Sequence, residues 1–311
     1  MSINPKDVLV PLDVSRSERR RYIENYLAIT RHSGRLMLFA GDQKVEHLND
    51  DFYGKGIDPQ DSDPEHLFRI ASSAKIGVFA AQLGLIARYG IDYPDVPYLV
   101  KLNSKTSLVK TSQAEPLSSQ WLDLNQVVDF RDDCGLNILG VGYTLYLGSE
   151  HEPQMLHEAA QIVYNAHRNG LVTVLWMYPR GRAVKNEKDP HLVAGATGVA
   201  AALGSDFAKV NYPEVEGADS MCLLKEAVLA AGRTKVVCAG GARCDVQSFL
   251  KQLHDQIHIC GASGNATGRN IHQLPLDQAV SLCNAIYAIT VEDASVEDAL
   301  KMYSQGETCQ S

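Results

Sequence analysis

Short apolar, β-branched runs alternate along this chain with longer segments whose apolar positions recur at helical spacing. The runs that read as strands are "RLMLFAGD" (35–42), "KIGVFAAQ" (75–82), "PYLVKLN" (97–103), "NILGVGYTLYLG" (137–148), "LVTVLWMYP" (171–179), "DFAKVNYP" (206–213), "KVVCAGG" (235–241) and "IHICGASG" (257–264). Helical stretches between them include "PEHLFRIASSA", with Pro64 suited to a first turn, and "EPQMLHEAAQIVYNAHRNG", with Gly170 placed as a C-cap. Eight strands alternating with helices predict an α/β fold, a parallel (β/α)8 TIM barrel; a doubly wound open sheet is the alternative if one strand is miscounted.

Ahead of the first strand, "SRSERRRYIENYLAITRHSG" predicts an extra N-terminal helix, with Ser15 and Glu18 at capping-box spacing. The tail "ASVEDALKMYSQG" predicts a C-terminal helix. No Pro-, Gly- or Ser-rich linker interrupts the chain, so residues 1–311 read as a single domain with 1–34 as an N-terminal extension. Residues 43–66 form a long polar loop on the catalytic face of a barrel, expected to be either a lid or a solvated surface segment.

Alternation of strand faces then selects candidate chemistry. Lys209 shares a face with Phe207 and Asn211, while the small pair Ala208 and Val210 takes the other, so the lysine points into the barrel near the end of strand six. An ammonium there must be paired or give up its proton, and a neutral amine attacks carbonyls. A lysine reaching out to water or to a carboxylate is the competing reading. Trp176 and Tyr178 share a face with Arg180 just beyond them, and Asp42 follows Leu38 and Ala40 at the end of strand one. Lys101 and Asn103 share a face near the end of strand three, where a second ammonium would lower the pKa of the first; Lys105 and Lys110 read as loop lysines. Strands seven and eight end in Gly240, Gly241, Gly261, Gly264 and Gly268, followed by Arg269, a combination that suits a phosphate.

Composition narrows the classes. With 45% hydrophobic and 21% charged residues in 311, the chain reads as a globular protein with ample core. A net charge of -8 argues against nucleic acid as a partner. No apolar run approaches the roughly 20 residues of a membrane span, and the start "MSINPKDVLVPLD" lacks a secretory pattern, which points to the cytoplasm. Seven scattered cysteines suit reduced thiols. The histidines show no H-x-H spacing, so no metal is expected, and His47 and His151 read as surface residues.

Together "FAGDQKVEH", "VKLNSKTSL", "YPRG", "AKVNYP", "AGGA" and "GNATGRN" resemble the archaeal-type class I fructose-bisphosphate aldolases, the DhnA-like aldolase family. The resemblance implies a metal-independent covalent mechanism with Lys209 as the Schiff-base lysine, Tyr178 as general acid/base and Asp42 as the carboxylate assisting proton transfer. It implies that Lys101, Trp176 and Arg180 line the site, that a sugar phosphate rests on Gly240, Gly241, Gly268 and Arg269, and that the protein is a homo-oligomer. Asp42-Gln43-Lys44 stands where the family often has Asp-His-Gly, and Ala239 where many members have serine. The family's downstream acid has three candidates, Glu214, Glu216 and Asp219. A 2-amino-3,7-dideoxy-heptulosonate synthase-like or autoinducer-phosphate thiolase-like activity, and a non-catalytic sugar-phosphate-binding barrel, stay open at this point.

Overall fold

The computed structural model describes residues 2–108, 115–215 and 223–307. Eight parallel strands close into a barrel in chain order: β1 (Leu36–Ala40), β2 (Val78–Gln82), β3 (Tyr98–Lys101), β4 (Ile138–Leu147), β5 (Val172–Pro179), β6 (Phe207–Val210), β7 (Lys235–Ala239) and β8 (Gly264–Thr267). The helices are α1 (Arg19–Ile29), α2 (Gln43–Glu46), α3 (Glu65–Ser73), α4 (Leu83–Tyr89), α5 (Leu124–Cys134), α6 (Glu152–Arg168), α7 (Pro190–Ala202), α8 (Lys225–Ala231), α9 (Val246–His258), α10 (Arg269–His272), α11 (Leu276–Val291) and α12 (Val296–Glu307). None of the described helices is long and apolar enough to cross a membrane.

Strand alternation sorts the core into two clusters. Leu36, Leu38, Ala40, Val78, Ala80, Leu99, Val174, Trp176, Phe207, Val237 and Ala266 fill the barrel interior. Met37, Phe39, Phe79, Val100, Ala208, Val210 and Cys238 face the helices. The split places Lys209 inside with Phe207, as its spacing predicts.

The N-terminal extension lies across the bottom of the barrel. Tyr22 and Leu27 of α1 join the interior cluster, Tyr22 donates to Asp206 just before β6, and Asn25 Nδ2 donates to the Gly170 carbonyl just before β5 at 2.8 Å. The predicted capping box does not form: Glu18 is the N-cap and makes no side-chain cap, because the Ser15 hydroxyl donates instead to the Arg168 carbonyl at 2.9 Å.

The eighth strand is displaced from its predicted position. The apolar run beginning at Ile257 completes α9 and a turn, and the strand is the polar quartet Gly264-Asn265-Ala266-Thr267, fully buried between β1 and β7. Its polar groups are satisfied within the fold, Asn265 Nδ2 donating to Thr290 Oγ1 at 2.8 Å and Thr267 Oγ1 to Asn265 Oδ1 at 3.0 Å.

The long loop after β1 is not a solvated strand of coil. It carries α2 and a 3-10 turn (Pro59–Ser62), and it buries Phe52 and Asp61 completely.

Candidate active site

The mouth of the barrel is built around one indole. Trp176 is paired in register with Lys209 on β6, and it lies against Gly142 on β4, where a Cβ would come within 2.3 Å of the ring. The missing side chain lets the indole lie flat inside the barrel. Two amines face it, Lys209 Nζ at 4.8 Å and Lys101 Nζ at 5.0 Å from the ring centroid.

The two lysines are held differently. Lys101 is 2% exposed and donates to Asn103 O at 2.6 Å and Asn103 Oδ1 at 3.1 Å, with Asp42 Oδ2 4.0 Å away. Asn103 is itself pinned to the Ser118 and Thr144 carbonyls. Lys209 is 4% exposed and makes no hydrogen bond among the described residues. Burial lowers Lys101 to about 8, with the charge of Lys209 adding to the effect. Burial also lowers Lys209, with Arg269 adding to the effect and Asp42 and Glu46 opposing. Desolvation is the largest cause of the Lys209 shift, and the repulsion between the two lysines, being mutual, acts in the same direction on both.

Tyr178 follows Trp176 on the inward face of β5. Burial holds its phenol well above the ordinary range, Glu46 and Asp42 push the same way, and Arg180 and Arg269 oppose them. Asp42 is 8% exposed and its Oδ1 has no hydrogen-bond partner among the described residues, while its carbonyl accepts from Gln82 Nε2 at 2.8 Å. A half-buried, protonated phenol and a carboxylate with one unpartnered oxygen beside a depressed amine can move protons around a reacting carbonyl.

Arg180 is placed at the mouth but is already engaged. Its Nε and Nη2 each lie 2.7 Å from the Glu187 carboxylate, its Nη1 lies 3.6 Å from Glu46, and its guanidinium packs over Tyr146 and Tyr178. It orders the wall around Tyr178 in this state rather than presenting a free cation. Glu46, four residues after Asp42 on α2, also accepts from the Tyr146 hydroxyl at 3.1 Å. Sequence reading left Glu46 and Glu187 without a role; the short step from Asp42 to Glu46 in "GDQKVEH" is the one signal that pointed to the first.

The glycine pair after β7 is corrected in one respect. The Gly240 N–H donates to the Ala266 carbonyl at 3.0 Å, because ladder bonding between β7 and β8 continues one residue past the strand. Gly241 has φ +69, and its amide is not part of that ladder. Both line a cleft of about 270 Å³ with Asn211, Gln256 and Thr267, and Lys209 is not among its lining residues. Arg269 opens α10, its Nε 3.6 Å from Asp51 Oδ2. Of the downstream acids, Glu214 is spent on an ion pair with Lys188 at 2.6 Å, and Glu216 and Asp219 lie outside the described residues, as does Lys110.

Residues 36–274 match the DeoC/LacD family aldolase. A protein of Methanocaldococcus jannaschii described as fructose-bisphosphate aldolase/6-deoxy-5-ketofructose 1-phosphate synthase is 58% identical over 97% of this chain and 96% of its own length. A solved fructose-bisphosphate aldolase from Slackia heliotrinireducens superposes with a TM-score of 0.95 at 58% identity, covering 98% of this chain and 96% of that one. An archaeal fructose-1,6-bisphosphate aldolase structure, described as having its catalytic lysine covalently bound to the carbinolamine intermediate of the substrate, gives a TM-score of 0.73 at 32% identity over 86% and 98% of the two chains.

Proposed function

This chain belongs to the DeoC/LacD family of aldolases, and on that premise we propose that it cleaves fructose 1,6-bisphosphate reversibly through a Schiff base on Lys209. The observation that carries the reading is the state of that lysine: buried, lowered in pKa and held by no hydrogen bond among the described residues, whereas its neighbour Lys101 is tied to Asn103. Only the untied amine is free to turn onto a carbonyl.

The chemistry follows from that amine. Lys209 adds to the C2 ketone, and loss of water gives an iminium ion. The C3–C4 bond then breaks, its electron pair passing into the iminium to form an enamine, while C4 leaves as the aldehyde glyceraldehyde 3-phosphate. The proton lost from the C4 hydroxyl is equivalent to the one that C3 recovers. Tyr178, with Asp42 beside it, is assigned to carry it. Water then hydrolyses the iminium, releasing dihydroxyacetone phosphate and the free lysine. The iminium is the electron sink, so no metal is needed for this route. Gly241, Gly268 and Arg269 are assigned to the phosphate next to the ketone.

A second reading is favoured by the double description of the Methanocaldococcus jannaschii relative. In it the same enamine is captured by a different aldehyde. A 6-deoxy-5-keto product bearing a 1-phosphate divides into dihydroxyacetone phosphate and a three-carbon 2-oxoaldehyde. Incubating the protein with fructose 1,6-bisphosphate, with and without methylglyoxal and in the presence of a chelator, tests both. Release of both triose phosphates supports cleavage, a new six-carbon ketose phosphate supports transfer, and neither product contradicts both readings.

A further inference from the structure

The loop after β1 is tied to the turn after β8 through one buried imidazole. His272 and Asp61 are both 0% exposed, with His272 Nδ1 2.7 Å from Asp61 Oδ2. On the far side of the ring, His272 Nε2 lies 3.2 Å from Oε1 of Gln43, the residue after Asp42. Both ring nitrogens face oxygens that only accept, so the imidazole is the donor in this pairing and links the carboxylate of one segment to the side-chain carbonyl of another. Phe52 stacks on the imidazole with ring centroids 4.6 Å apart at 8°, and Lys44 Nζ lies 4.2 Å from the Phe52 centroid.

The chain continues from there to the candidate phosphate turn. The Gln43 amide occupies the space beside Gly268, where a Cβ would lie 2.3 Å from Oε1 and 2.7 Å from Nε2. Asp51 Oδ2 lies 3.6 Å from Arg269 Nε, the Asp51 carbonyl accepts from Gln273 Nε2 at 2.9 Å, and the Asp58 N–H donates to the Gln273 carbonyl at 3.1 Å. His66 Nε2 completes the join at 3.1 Å from both the His272 and Leu274 carbonyls.

We infer that Gln43 and His272 are positioning residues for the phosphate end of the site, and that residues 43–62 form a brace which fixes the Gly268–Arg269 turn. Swinging the loop away as a lid would strip Asp61 and His272 of their partners, which is costly for buried polar groups. A brace does the opposite work. Gly268 has no side chain to restrain its backbone, and a turn that must be ordered when ligand arrives binds more weakly than one ordered beforehand. The group that benefits is the phosphate of a phosphorylated ketone.

The inference rests on the assignment of Gly268 and Arg269 to that phosphate, and the test separates the two. Borohydride trapping is measured with dihydroxyacetone phosphate and with dihydroxyacetone, and the ratio of their trapping efficiencies is compared across variants. Arg269→Met and Gln43→Ala should each lower the ratio, Gln43→Ala by roughly tenfold and through the concentration needed for half-maximal trapping. Gln43→Leu fills the same space without the hydrogen bond to His272 and should lower it too. An unchanged ratio in Arg269→Met overturns the phosphate assignment and the inference with it. A lowered ratio in Arg269→Met with an unchanged ratio in both Gln43 variants overturns the brace alone. Equal losses for the two ketones in the Gln43 variants leave the ratio unchanged and count against the brace, since a purely structural role predicts that result.

Discussion

Lys101 and Lys209 present their amines to the same indole, 5.0 and 4.8 Å from the Trp176 centroid, yet only Lys101 is hydrogen-bonded among the described residues. Two cations in one buried pocket is an arrangement that desolvation and mutual repulsion both oppose. It persists because Asp42 and Glu46 offset part of the charge, and because Asn103 satisfies one of the two amines. The asymmetry divides the labour: Lys101 is fixed as part of the wall, and Lys209 is left able to react.

If Tyr178 carries the proton between C4 and C3, Tyr178→Phe should cut turnover by about 10² to 10⁴. Trapping of the imine should survive at least in part, since carbinolamine formation does not need the phenol at C3. Parallel rapid-quench turnover and borohydride trapping check this. Loss of both to the same extent would remove Tyr178 from the proton path.

Glu46 holds both Lys209 and Tyr178 towards their protonated forms, and its side chain is 25% exposed. Glu46→Gln keeps an acceptor for the Tyr146 hydroxyl and removes the charge. The free-amine form of Lys209 should then appear at lower pH, moving the acid limb of the trapping profile down by about half to one pH unit. A limb that stays in place or moves up contradicts the electrostatic role.

Gly142→Ala places a methyl 2.3 Å from the Trp176 ring and 2.9 Å from Leu99 Cδ2. Overpacking of this kind costs about 1 to 3 kcal/mol. Because the indole that yields is the one the lysines face, trapping at Lys209 should fall along with the melting temperature. Calorimetry and trapping on one preparation test the coupling, and loss of stability with trapping intact would show that the ring position is not needed.

The bottom of the barrel has its own pH dependence. His167 Nδ1 lies 2.9 Å from Asp13 in the N-terminal extension and its Nε2 3.1 Å from Asp206 just before β6. Burial alone would lower the imidazole, but Asp206 and then Asp13 overcome it and hold its pKa at about 9. A pKa raised on folding gives stability that is full below about 6.5 and is lost as pH climbs through about 9. Chemical denaturation of the parent and His167→Gln should show a gap on the order of 3 kcal/mol at pH 6 that closes towards pH 10. A gap that does not shrink would mean that His167 is not a buried cation.

The placement of Lys209, Trp176, Asp42 and Lys101 was legible because side-chain alternation along a short strand is a local rule, and the resemblance rests on the same residues. The eighth strand was not legible. Its four residues carry one apolar side chain, Ala266, and they form a strand because β1 and β7 flank them, while the apolar run that imitated a strand belongs to the end of α9. The contacts that tune the site were also beyond sequence reading. Asp61 and His272 are 211 positions apart, and nothing local distinguishes either from a surface polar residue. The engagement of Arg180 by Glu187 depends on how the loop after β5 folds back, which side-chain alternation does not address.

The central claim is that Lys209 is the amine that forms the covalent intermediate. The protein is incubated with dihydroxyacetone phosphate, reduced with borohydride, digested and mapped by mass spectrometry. One substrate-sized adduct on the peptide carrying Lys209, absent in Lys209→Met and retained in Lys101→Met, is the result this account predicts. An adduct on Lys101, or an adduct that survives Lys209→Met, would contradict it.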